Sequence, residues 1–107
     1  MIKGVYSIRD VKVGFLAPVL EDNDVLAIRN FEHSVINTGG LLGSHPEDFF
    51  LCRLGWFDTS TGEFSRVHPD DSENVTPPGG FSICKAIDAI LRNINSTQSL
   101  KEALKIG

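Results

Sequence analysis

The sequence predicts an α+β domain, a small antiparallel sheet with two main helices packed on one face. Three observations carry that expectation. Residues 49–57, FFLCRLGWF, are apolar at every second position and half-apolar between, as in a strand near the middle of a sheet. Val25–Asn37 and Ile83–Asn95 each repeat apolar side chains with a period near 3.6. Such a helix has one stripe to bury, and a sheet face can bury it.

Each element has its own reason. Lys3–Val13 (KGVYSIRDVKV) is rich in β-branched and aromatic residues and reads as a strand, punctuated by Gly14. Phe15–Leu20 continues as a second extended piece, and Pro18, which lacks an N–H, confines it to an edge or a loop. The acidic run Glu21–Asp24 opens the first helix. Asp22, Asn23 or Asp24 can accept from the free amides there, and their charge suits the positive end of the helix dipole. Ile28, Phe31 and Val35, with Ala27 beside them, form the apolar stripe, and Gly39-Gly40 ends the helix.

Leu41–Asp48 reads as a loop. The strand 49–57 follows, then the turn DTSTG at 58–62, with Glu63–Val67 returning as the second arm of a hairpin. Residues 68–80 are rich in Pro, Gly, Asp and Asn and read as an exposed, mobile loop. Phe81–Asn95 reads as helical with Ser82 as its N-cap. The tail, 96–107, carries a capping box, Ser99 to Glu102, before a short helix from Leu100. In this arrangement Phe50, Cys52, Leu54 and Trp56 meet Ile28, Phe31, Ile87 and Ile90. The 107 residues fit a single domain, 1–107, large enough to bury one core without staples.

Composition narrows the function. Hydrophobic residues make up 41% and charged residues 22%, the balance of an ordinary soluble domain. The apolar run Val13–Leu20 is short and broken by Gly14 and Pro18, so no membrane span is expected. Met1–Asp10 lacks an apolar stretch with a cleavage site, so no secretory signal is expected. Two cysteines, Cys52 and Cys84, make no disulfide framework and read as small core residues. His33, His45 and His68 have no metal-ligand spacing with one another or with the cysteines. No phosphate-binding loop, calcium loop or Gly-x-Ser-x-Gly motif is present. The expectation is a protein that is not an enzyme, with no metal and no cofactor.

Charge is placed unevenly. The formal net charge is -4. Lys3, Arg9 and Lys12 outweigh Asp10 at the start. Lys85, Arg92, Lys101 and Lys105 outweigh Asp88 and Glu102 at the end. Between them only Arg29, Arg53 and Arg66 oppose a strongly acidic stretch. An acidic chain of this kind is not a simple charge-driven nucleic-acid binder. If DNA is bound, the best candidates are Tyr6, Arg9, Lys12, Arg53 and Arg66. Cations hold phosphates and a ring stacks on a base. Arg53 is the one charge in an otherwise apolar strand, which is unfavourable unless it reaches solvent or a partner.

Four short blocks then point to a family. Tyr6–Asp10 (YSIRD), Ala27–Phe31 (A-x-R-x-F), His45–Asp48 (HPED) and Leu54–Asp58 (LGWFD) occur in this order within residues 5–67. This resembles the small non-structural protein of gokushovirus-type Microviridae, tiny single-stranded DNA phages. The resemblance implies a non-enzymatic phage protein of the bacterial host cytoplasm, described as DNA-binding and tied to single-stranded genome synthesis. Its partner would be single-stranded DNA or a replication protein. The alternative is a module that binds a host or phage protein without touching DNA. The apolar surplus on both faces of 49–57 further predicts a homo-oligomer, which light scattering would separate from a monomer of 11.7 kDa.

Overall fold

A computed structural model of the chain describes residues 1–37 and 40–94. Among these residues the fold is mixed α/β, with an antiparallel sheet and three helices. The centre of the sheet is one long antiparallel pair, β1 (Ile2–Asp10) and β4 (Phe49–Asp58). On its far side β1 carries two short strands, β2 (Gly14–Phe15) and β3 (Val19–Glu21). Pro18 falls in the gap between them, on an edge where its missing N–H is harmless.

The first helix, α1 (Asp24–Asn37), starts one residue before the expected bound. Asn23 is its cap, with its side-chain Oδ1 accepting from the Leu26 amide at 2.9 Å. Ala27, Phe31 and Val35 are its buried residues. Gly39 lies outside the described residues. Leu41–Asp48, expected as a loop, instead holds a short helix α2 (Leu41–Ser44) and a 3-10 turn (Pro46–Asp48). His45 closes the first with its amide on the Leu41 carbonyl, and Pro46, with φ preset, opens the second.

Two further expectations are corrected at the C-terminal side. Residues 68–80 are not one loop. The strands β6 (Val67–His68) and β7 (Asp71–Val75) pair as a hairpin, and only 76–80 connect onward. Residues 81–95 are not all helix. Phe81–Lys85 is strand β8, paired with β4, and helix α3 occupies 86–94. The reason is an open edge. Beyond β5 (Phe64–Ser65), which covers only Trp56 and Phe57, β4 has unmet backbone groups, and β8 fills them. The turn before it delivers the strand: Gly80 donates to the Pro77 carbonyl at 3.0 Å, and Gly79 takes φ +87°. Asn95 and the tail 96–107 lie outside the described residues.

The core lies on one side of the sheet. Tyr6, Phe49, Leu51 and Cys84 of the strands pack with Ala27, Phe31 and Val35 of α1 and with Ala86 and Ala89 of α3. The expected face is therefore inverted: Phe49 and Leu51 meet the helix, and Phe50 and Cys52 point away. Trp56 is nevertheless on the helix side, because the pairing slips between Val5 and Tyr6 and leaves Leu54 as an extra, unpaired residue. Such a bulge reverses the in-and-out alternation beyond it. Arg92 forms an ion pair with Glu32, tying α3 to α1.

Candidate functional site

The five candidate residues separate into three places. Tyr6 and Arg53 stand opposite each other on the helix side of the sheet. Arg9 and Lys12 lie at the exposed end of β1. Arg66 is exposed beside Phe64 and Leu54, level with Gly55 and so about 13 Å from Arg9 along the strand direction.

The first place is a closed polar cluster. Asp24, at the start of α1 and released from capping by Asn23, binds both partners. Tyr6 Oη donates to its Oδ1 at 2.6 Å, and Arg53 Nη1 donates to its Oδ2 at 2.6 Å. The Arg53 guanidinium also lies over the Trp56 ring at 4.8 Å and the Phe81 ring at 5.5 Å. His68, from the β6–β7 hairpin, meets Trp56 edge-on with centroids 5.2 Å apart. Tyr6 is 1% exposed, so its ring is not open to a base. The charge in the apolar strand thus has its partner within the chain, an acid from α1 rather than from the neighbouring hairpin.

Burial, reinforced by the hydrogen bond to Asp24, pushes the Tyr6 hydroxyl well above its usual value near 10. Its folded value is raised, so its contribution to stability is whole below about pH 10 and is lost as pH rises beyond. The buried Cys52 and Cys84 thiols, also pushed up by burial, act in the same direction. Tyr6 is the one tyrosine, so tyrosinate absorbance reports on it alone. In the folded protein that band is expected to stay absent at pH 10 and to emerge only as the protein unfolds. A folded protein that titrates like free tyrosine would contradict the buried hydroxyl.

The second place is the β1–β2 hairpin. Gly14, at φ +116°, lets the chain reverse in a few residues, and Asp10 Oδ1 accepts from the Lys12 amide at 2.9 Å. The reversal sets Phe15 opposite Arg9, with the guanidinium 5.8 Å from the ring centroid. Phe15 is 44% exposed, and Arg9 and Lys12 are exposed. Neither cation makes an ion pair among the described residues. Sequence reasoning found Arg9 and Lys12 and missed Phe15, although Gly14 midway between strand-like runs marks such a reversal.

Residues 3–76 match the family model described as Phage ORF5 protein. The chain belongs to the phage ORF5 protein family. The match covers the hairpin, α1, the β1–β4 pair and the β6–β7 hairpin, and stops short of β8 and α3. No curated protein and no solved structure matches the chain. Among the described residues no group of histidine, cysteine or acidic side chains is gathered to hold a metal, and no helix is long and apolar enough to cross a membrane.

Proposed function

We propose that this ORF5 family member is the small non-structural protein of a gokushovirus-type Microviridae phage. It acts without catalysis in single-stranded DNA genome synthesis in the host cytoplasm, by binding DNA or the replication complex. The observation that carries the reading is the exposed end of the β1–β2 hairpin. There Arg9 and Lys12 stand free of ion pairs among the described residues, next to an exposed ring, on an otherwise acidic body. Cations beside an aromatic face suit a phosphate and an unstacked base.

Fluorescent single-stranded and duplex DNA, titrated at two salt concentrations, test this. Each phosphate contact on a single strand adds about 0.7 to the slope of log affinity against log salt. The double change Arg9→Ala with Lys12→Ala is expected to weaken binding and flatten that slope by about 1.4. Unchanged affinity and slope in a folded double variant would remove the hairpin from the interface.

A second reading has its own support. Val5, Pro18, Leu54, Trp56 and Phe64 line an open, mostly apolar pocket of about 410 Å³, and Phe64 is 70% exposed. An apolar surface of this kind suits a protein partner or a second copy of the chain. Association through it would depend on salt far less than DNA binding does.

A further inference from the structure

We propose that the sheet face turned away from α1 is a strand path for single-stranded nucleic acid, crossing β2, β1, β4 and β8 through Phe15, Arg9, Phe50 and Lys85. The inference rests on the nucleic-acid reading above and extends it to residues that the hairpin alone does not include. The row follows from register. Arg9 pairs with Phe15 on one side and with Phe50 on the other, and Phe50 pairs with Lys85. Residues directly opposite in antiparallel strands project from the same face. The four side chains therefore form one line, ring, cation, ring, cation, across four adjacent strands.

That line is open. Tyr6, Leu51 and Cys84, which pack against α1, have the opposite orientation. Arg9 and Lys85 are exposed, Phe15 is 44% exposed and Phe50 is half-buried. Lys85, like Arg9, makes no ion pair among the described residues. Cys52 lies on the same face, and the Arg9 charge partly offsets the upward effect of burial on its thiol. Arg9 is exposed and paired with Phe15 on one side and Phe50 on the other, so a phosphate crossing the row would meet it.

Spacing selects the ligand. Neighbouring strands lie about 4.8 Å apart, so the two rings are about 10 Å apart with Arg9 between them. Bases in a duplex follow one another at about 3.4 Å along each strand and are stacked on both sides. A duplex cannot offer two unstacked bases at this separation, whereas an extended single strand can. Two non-adjacent bases would rest on Phe15 and Phe50, with backbone phosphates at Arg9 and Lys85. This chemistry is common to DNA and RNA.

The test uses the full chain with single-stranded DNA, single-stranded RNA and duplex oligomers, each carrying 5-iodouracil, a base that photocrosslinks to rings it stacks on. Crosslinks are expected on Phe15 and Phe50, with weak or no binding of the duplex. Phe15→Leu and Phe50→Leu, which keep apolar bulk, should each lower single-strand affinity about 5- to 50-fold. Lys85→Ala should flatten the salt slope by about 0.7. Crosslinks confined to other residues, or both leucine variants folded and binding like the wild type, overturn the row and leave the hairpin reading standing. Tighter binding of RNA than DNA supports the row and overturns the genome-synthesis reading. Failure of the wild-type protein to bind any oligomer overturns both.

Discussion

Replacing Arg53 by alanine is expected to lower stability by about 2–4 kcal/mol, measured by urea denaturation. The estimate starts from the range for removing one member of a buried ion pair, about 3–5 kcal/mol. Arg53 is well covered, its side chain being 12% exposed, but Asp24 is 40% exposed, so water recovers part of what Asp24 loses. Packing adds to the loss, because the guanidinium fills the space between Trp56 and Phe81. Longer contacts to Asn74 Oδ1 and Thr76 Oγ1, each at 3.5 Å, hold the end of β7 and the residue after it against β4. Arg53→Lys should rescue little, since one ammonium cannot lie flat on two rings and reach Asp24 together. A double-mutant cycle with Asp24→Ala separates the pair from the packing. Strict additivity in that cycle, or a loss below about 0.5 kcal/mol for Arg53→Ala, would show that the cluster does not hold the sheet to α1.

Much of this fold was legible because local signals agreed with each other. In α1 the cap at Asn23, the stripe Ala27–Phe31–Val35 and the period all point the same way. For β4 the strand was legible and its faces were not. Its alternation runs unbroken through Phe50, Cys52, Leu54 and Trp56, but the unpaired Leu54 moves Trp56 to the other side. The sequence does hold a sign of this. Gly55 sits inside an apolar strand, and a Cβ there would lie 2.6 Å from the Ser65 carbonyl oxygen. A glycine within a strand often marks a bulge or a close backbone approach.

Other elements depended on contacts far apart in sequence. Ile83, Ile87, Ile90 and Ile94 keep a helical period, yet residues 81–85 join the sheet because β4 has an open edge there. The β6–β7 hairpin has the composition of a loop; the Thr76 amide on the Arg66 carbonyl at 2.7 Å closes its base, and His68 against Trp56 fastens it from outside. The candidate site divides likewise. A lone arginine in an apolar strand announced that Arg53 needs a partner, but the partner is 29 residues away, on another element. The aromatic and basic row is a matter of register across four strands, and no window of sequence contains it.

Gly4→Ala should be among the most damaging small substitutions in the chain. Gly4 stands two residues before Tyr6 on the same face of β1, opposite Trp56. The Tyr6 ring lies back over it. A Cβ at Gly4 would come within 2.3 Å of Tyr6 Oη and 2.5 Å of two ring carbons. The ring cannot yield cheaply, because it is 1% exposed and its hydroxyl is held by Asp24. Overpacking of this kind lowers stability by about 1–3 kcal/mol, and displacement of the hydroxyl from Asp24 adds about 1 kcal/mol. Thermal or urea unfolding measures the sum. Tyrosinate absorbance reads the cause, since a displaced Tyr6 should titrate closer to pH 10 in the variant than in the wild type. In a Tyr6→Leu background the methyl group has room, so the Gly4→Ala loss should fall well below its value in the native chain. An equal loss in both backgrounds would mean that Gly4 is required for its backbone rather than for the ring above it.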